Sequence, residues 1–212
     1  MQKKTNMKKF MSKLIYKEAF SLDFHLKNIF ISASLEKGDV NLEIKNFDIF
    51  YLIKDTIKNF KHRIEEKKLK IIIKDFYKKK LIFSLDYEKV KIIFSNLLSN
   101  AIKFSNENEI IEISIEKKDE KLNFSVKDFG IGIKKEEQNL IFNRFKRLNE
   151  NINSHNRGYG LGLAIVSDLL TLMSGEIYFK SKINEGSTFT FIIPEKKIKN
   201  LDFVFNDGLE FF

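Results

Sequence analysis

Asn96, Asn100 and Lys103 are spaced four and three residues apart in the stretch NLLSNAIKFS (96–105). On a helix that spacing puts all three on one face. A solvated helical stripe normally uses Lys and Glu, which favour helix more than Asn does. Two amides one turn apart offer uncharged carbonyl oxygens, which suit Mg²⁺, an ion that keeps several waters and shares phosphate ligands. Lys103 on the same face could then meet a phosphate. A second cluster is Asp128-Phe129-Gly130-Ile131-Gly132. Asp128 continues the alternation Leu122, Phe124, Val126, so its carboxylate points to the apolar face. Burying a carboxylate is costly unless it is hydrogen-bonded. Asp128 therefore either caps the following turn or accepts from a ligand amino group such as that of adenine.

The third cluster is basic. Of four Arg against 34 Lys, three (Arg144, Arg147 and Arg157) fall around the polar, Asn-rich loop 148–157. Arginine offers phosphate a planar fork that lysine lacks, so this loop is expected to form a lid over phosphates. The fourth cluster is Gly158, Gly160 and Gly162, running into a helical pattern. Glycine turns at a helix N-terminus present backbone N–H groups to anions. Neither glycine cluster is a Walker A loop or a dinucleotide fingerprint, so a nucleotide must be held in another way.

The elements that position these residues follow from periodicity. Residues 7–36 read as one long helix whose apolar positions Ile15, Ala19, Leu22, Leu26, Ile29 and Ala33 form a heptad seam. The seam packs either on a partner or on its own domain. Asp48 and Asp86 are expected N-caps, and 87–104 reads as the helix carrying Asn96, Asn100 and Lys103. Strands are expected at 70–76, 81–85, 111–115, 122–126, 176–181 and 187–193. A short helix is expected near 135–143 and another over 160–173, stopped by Gly175. The order predicts an α+β fold: a two-layer sandwich of a mostly antiparallel sheet and helices, preceded by an N-terminal helical arm. Its expected divisions are an arm over 1–38, a nucleotide-binding domain over 39–194 and an unassigned tail over 195–212.

Composition narrows the function. With no Cys and three scattered His, disulfides, thiol catalysis and Cys- or His-rich metal sites are excluded. No apolar run approaches the roughly 20 residues of a membrane span, and no signal segment opens the chain, so a cytoplasmic domain is expected. The formal net charge is +9, concentrated before residue 80. No nucleic-acid motif accompanies it, so the excess reads as solvated lysine faces and no nucleic-acid partner is expected.

In this order and at these intervals, the four clusters resemble the C-terminal catalytic and ATP-binding domain of bacterial sensor histidine kinases. NLLSNAIKFS is similar to the N box, DFGIGI (128–133) to the first glycine box, IFNRFKR (141–147) to the F box and GYGLGLAI (158–165) to the second glycine box. GSTFTF (186–191) is similar to the closing strand. ISASLEKGDVNLEIKNFDI (31–49) is similar to the junction with the dimerisation helices. The resemblance covers roughly residues 20–194 and implies the Bergerat ATP-binding fold, with ATP and Mg²⁺ as cofactors. It implies Asn100 as the Mg²⁺ ligand with Asn96 beside it, and Lys103 and Arg147 on the outer phosphates. Arg144 is implied as a further phosphate contact. Asp128 would accept from the adenine amino group, with Phe104 lining the base near Gly130 and Gly132. Gly158, Gly160 and Gly162 would hinge the lid, with Leu161 and Leu163 in the same box. Asn100 and Arg147 are the implied catalytic pair.

The sequence departs from the family at Phe129 and Tyr159, where the family often has smaller or polar residues, and above all at the phosphoacceptor. A phosphoacceptor His is followed there by an acidic residue and, shortly after, Pro. Here His25 precedes Leu26 and Lys27, and the single Pro is Pro194. The arm is thus similar to the second dimerisation helix alone. The expected function is transfer of the ATP γ-phosphoryl group to a histidine outside this chain. The implied partners are a His-bearing dimerisation domain or parent kinase, membrane-tethered or not, a response regulator, and a second copy joined through the arm. Two alternatives stand beside it. One is a hydrolytic ATPase of the same fold, which resembles E-x-x-x-N where this chain has Asn96. The other is a non-catalytic dimerisation or nucleotide-sensing module.

Overall fold

The computed structural model describes residues 2–75, 80–146 and 159–196. A long helix α1 (Gln2–Lys37) leads to β1 (Ile44–Asp48), α2 (Ile49–Asn59) and a short α3 (Lys61–Glu66). Then come β2 (Lys70–Asp75), β3 (Ile82–Asp86), α4 (Tyr87–Phe104), β4 (Ile110–Lys118) and β5 (Lys121–Asp128). A 3-10 turn (Lys135–Leu140), α5 (Gly162–Leu172), β6 (Glu176–Lys182) and β7 (Gly186–Pro194) complete the order. Five strands form one sheet in the order β2-β4-β5-β7-β6, and β1 pairs with β3 in a small second sheet. All pairs are antiparallel except β2 with β4. This is the expected α+β sandwich.

Both aspartate caps form. Asp48 accepts from Phe50 N–H at 3.0 Å and Asp86 accepts from Lys89 N–H at 3.0 Å, each satisfying an orphan donor of a first helical turn. The stop of α5 differs from the expectation at Gly175. Ser174 takes the left-handed position (φ 60). Gly175 N–H closes the longer bond onto Leu170 C=O at 2.7 Å, so Gly175 stands one place later in a Schellman motif than glycine usually does. β1 and α3 were not expected: neither five-residue β1 nor six-residue α3 is long enough to show a clear period.

The core lies between the helices and the sheet. Val90, Ile93, Phe94, Leu97, Leu98, Ala101 and Ile102 of α4 are all buried. They meet the inward face of β5, where Phe124 stacks on Phe191 of β7 at 4.9 Å and Phe94 lies 4.9 Å from Phe124. Burying each such side chain contributes roughly 1.5–3 kcal/mol. The pattern continues to Asp128, which is 5% exposed, so the carboxylate ends an apolar strand face as its spacing predicts.

The arm has two faces. Phe20, Phe24, Ile31 and Leu35 pack against the core. Phe20 and Phe24 lie 5.2 and 5.7 Å from Phe60, and Tyr16 and Phe20 sit edge-on to His62 at 5.5 and 5.0 Å. Lys17 pairs with Glu66 at 2.7 Å. The heptad seam is turned away: Ile15, Ala19, Leu22, Leu26, Ile29 and Ala33 are all exposed. The arm therefore buries an aromatic stripe on its own domain, and the seam is a second stripe that the domain does not cover.

Candidate nucleotide site

A cavity of about 820 Å³ opens between α1, α3, α4, the turn after β5 and the start of α5, within the roughly 300–1,000 Å³ of small-molecule sites. Asn96, Asn100, Lys103, Phe104, Asp128, Gly132, Gly160, Leu161, Gly162 and Leu163 all line it. Residues as far apart in sequence as Asn96 and Leu163 thus share one wall system. Gly130 lies just behind it. A Cβ there would stand 2.0 Å from Phe104 C=O, so only glycine lets the turn after β5 pass under the end of α4. Arg147 and Gly158 lie outside the described residues.

Asp128 is held by backbone. Its Oδ1 accepts from Gly130 N–H at 3.0 Å and from Ser187 N–H at 3.3 Å, where β7 pairs opposite it. Both bonds fall on one oxygen, so Oδ2 can accept from a ligand in the cavity. Burial raises the Asp128 pKa from 3.8 to about 6, against the opposite pull of these backbone donors. The turn-cap and ligand readings of Asp128 are therefore compatible, because each uses a different oxygen.

The other end is built from side chains of separate helices. Asn100 and Lys103 are half-buried on α4, and Lys103 Nζ lies 5.0 Å from the centre of the Phe104 ring. Asn96 is 3% exposed and is not an open ligand. It exchanges amide hydrogen bonds with Asn28 of α1 at 2.8 and 3.1 Å and donates to Ile92 C=O at 3.0 Å. Gly162 lies close against it, since a Cβ there would stand 2.7 Å from Asn96 Oδ1. His25, also on α1, lines the same cavity and lies edge-on to Tyr159 at 5.1 Å. Burial, followed by the nearby Arg63 and Lys103 charges, lowers its pKa.

Arg144 differs from the expectation of a phosphate contact. Its guanidinium bridges Glu36 at the end of α1 and Asp168 of α5, the latter at 2.8 Å, and it does not line the cavity. Two carboxylates satisfy it where the sequence suggested phosphate. Its neighbour Phe145 instead donates its backbone N–H to Gly160 C=O at 3.0 Å, which holds the IFNRFKR stretch against the second glycine cluster. The sequence reading also left out Asn28, Arg63, Ser99 and Ser187, all of which line the cavity. Ser187 lies inside GSTFTF, so its motif was visible although its backbone role was not. Nothing in the local sequence marks the other three.

The profile of the histidine kinase-, DNA gyrase B-, and HSP90-like ATPase family matches residues 85–197, more than half of the chain. The chain belongs to this family. Within its ATPases, the chain is 29% identical over 174 residues to the circadian input-output histidine kinase CikA of Synechococcus elongatus, covering 82% of this chain and 23% of that protein. It is 30% identical to the sensor protein RprX of Bacteroides fragilis, covering 91% of this chain and 37% of that one. The chain thus spans well under half the length of these relatives. Among solved structures, the catalytic domain of histidine kinase ThkA superposes with a TM-score of 0.62 at 27% identity, over 72% of this chain and 98% of that one. Full-length ShkA, solved with AMPPNP, gives 0.70 at 24% identity over 86% of this chain and 37% of that one, a likeness of fold. Membership of an ATPase family makes ATP the nucleotide of this chain.

The donor set also suits a Mg²⁺ that arrives with phosphates. No cluster of three or more His, Cys, Asp or Glu that could hold a metal exists among the described residues. A single amide oxygen from Asn100 fits an ion that keeps its waters and takes the rest of its shell from phosphate. Among the described residues no helix is long and apolar enough to cross a membrane.

Proposed function

We propose that this chain is the ATP-binding catalytic part of a histidine kinase, acting with Mg²⁺ in the cytoplasm on a histidine carried by a separate helix pair. The observation that carries the reading is the convergence of Asp128, Asn100 and Lys103 on one cavity. Asp128 Oδ2 takes the adenine amino group, and Phe104 lines the base. Asn100 would hold a Mg²⁺, which would supply Lewis-acid charge at the phosphates. Lys103 takes an outer phosphate oxygen, and Arg147 completes the set from the lid. The incoming histidine nitrogen forms a P–N bond as the bridging O–P bond to the γ-phosphorus breaks and ADP leaves with the electron pair. What the chain contributes is positioning and charge stabilisation.

Transfer is favoured over hydrolysis by Asn96. A hydrolytic site needs a base to take the proton of water, and an amide cannot serve. The arm, with its exposed seam, carries the docking surface for the helix pair or for a second copy, and the phosphohistidine product passes its group to a response regulator. The divisions at residues 38 and 194 separate arm, ATPase domain and tail. The test supplies the purified chain with γ-labelled ATP, Mg²⁺ and a separate His-bearing helix pair. Acid-labile, alkali-stable label on that pair is the expected result. Release of inorganic phosphate without label on the pair would assign the chain to the hydrolytic ATPases. ATP binding with neither product would make it a nucleotide-sensing module.

A further inference from the structure

Arg63 is the one arginine outside the stretch around the lid. It sits in the middle of α3, half-buried, and lines the nucleotide cavity together with Asn100 and Lys103. Its Nη1 donates to Ser99 Oγ at 2.9 Å, and its guanidinium lies 5.8 Å from the centre of the Phe60 ring. Ser99 adjoins Asn100 and precedes Lys103 by one helical turn, so the bond anchors the guanidinium beside the polar face of α4. The next turn of chain fixes α3 there as well. Lys67 Nζ donates to Lys103 C=O and Ser105 C=O, both at 2.7 Å, using carbonyls that the end of α4 leaves open.

Arg63 has no anion. Among the described residues no Asp or Glu oxygen stands within 4.0 Å of it. Glu66, the acidic residue whose charge it feels, is held by Lys17 of α1 at 2.7 Å. Burial lowers its pKa more than Glu66 restores it, yet a guanidinium stays protonated. A half-buried fork of five N–H donors with a single hydroxyl acceptor is a cation awaiting a partner, since buried charge is costly until paired. Phosphate oxygens fit that fork in a way a point-charged lysine does not.

We propose that Arg63 is a phosphate-binding residue of the nucleotide site, taking an oxygen of the outer phosphates from the α3 side. The proposal rests on the nucleotide reading above. It gives the phosphate end a cation whose position is already fixed by Ser99 and Phe60.

The test is calorimetric titration of the full chain and of Arg63→Met, with Mg²⁺ present, against ATP and against adenosine. ATP affinity should fall roughly tenfold or more, the size of one hydrogen bond between charged groups, while adenosine affinity stays within about twofold. Adenosine binding also reports that the adenine end is folded. If Arg63→Met loses it, Arg63→Lys decides by the same ATP-to-adenosine ratio, which should fall less steeply. An unchanged ratio overturns the proposal while leaving the nucleotide site standing. A wild-type chain that binds no ATP overturns both. Inorganic phosphate titrated alone separates the sources of the anion. Phosphate binding as tight as that of ATP, and lost in Arg63→Met, would assign Arg63 to the free ion instead.

Discussion

The two ends of the cavity are built in different ways. At the end we assign to adenine, Asp128 is set by the period of β5, by the turn through Gly130 and by a backbone donor from the paired strand β7. Every support is main chain or immediately adjacent in sequence. At the end we assign to the phosphates, Asn100 and Lys103 of α4 line the cavity with Arg63 of α3 and His25 and Asn28 of α1. The supports there are side chains drawn from three helices. Main-chain supports cannot be removed by substituting a side chain, and they vary little with condition. Side-chain supports can be substituted, paired or displaced one at a time. The adenine end is thus the fixed reference of the site, and the phosphate end is where binding can be tuned.

The sharpest break should come at Asn100. Asn100→Ala removes the amide oxygen for the metal, and Mg²⁺-dependent ATP affinity should fall by at least roughly a hundredfold, beyond what losing a supporting partner of a metal ligand costs. Adenosine binding should persist, and stability should change by only about 0.5 kcal/mol, as at ordinary partly exposed sites. Titration with and without Mg²⁺ checks it; unchanged ATP affinity removes Asn100 from the site.

Gly130→Ala tests the fixed end. A Cβ within 2.0 Å of Phe104 C=O forces the turn away from α4, and overpacking of this kind costs typically 1–3 kcal/mol. A urea midpoint shift of that size should be accompanied by loss of adenosine affinity, because Asp128 and Phe104 move apart together. Full adenosine affinity in the variant would show that the turn can relax without disturbing the site.

Asp128 links the fixed end to pH. Its folded pKa of about 6 lies above the ordinary 3.8. Its proton therefore stabilises the empty chain fully below about pH 4, and that contribution is lost as pH rises through 6. Ligand binding runs the other way, because the ionised carboxylate is the better acceptor for an amino group. Adenosine, which carries no titrating phosphate, should bind more weakly as pH falls below about 6. Asp128→Asn should flatten that dependence and narrow the preference for ATP over GTP, since an amide can donate to a guanine carbonyl. A wild-type chain that binds GTP as well as ATP removes Asp128 from adenine recognition.

Legibility in the sequence divides along the same line. The period of β5 places Asp128, and the alternating glycines place the turns, because strand and turn chemistry act between near neighbours. The cap residues Asp48 and Asp86 were legible for the same reason. The Asn100 and Lys103 stripe was readable as a face, but what stood opposite it was not. Asn28, 68 positions from Asn96, and Arg63, 36 positions from Ser99, reach the site only through tertiary packing of α1 and α3. Arg144 shows the converse: its residue type fits phosphate, yet Glu36 and Asp168 reach it first. Proximity in a fold decides which anion an arginine finds, and proximity is what sequence spacing does not encode beyond one element.

The smallest effect on the cavity should come from the outer face of the arm. Leu22 and Leu26 are 60% and 42% exposed, while Phe20, Phe24 and Asn28, on the inner face, hold α1 to the domain. Leu22→Glu with Leu26→Glu removes apolar surface from the seam without touching those contacts. Stability should therefore shift by no more than about 0.5 kcal/mol, and ATP and adenosine affinities should be unchanged. A lone apolar stripe is useful to an amphipathic helix only when a partner covers it, so the same variant should lose self-association or docking of the His-bearing helix pair. Sedimentation of the chain alone and with that pair reads the loss, with the ATP titration as the control. If the variant instead lost ATP affinity, the two faces of α1 would be coupled, and the outer face would serve the nucleotide site as the inner face does.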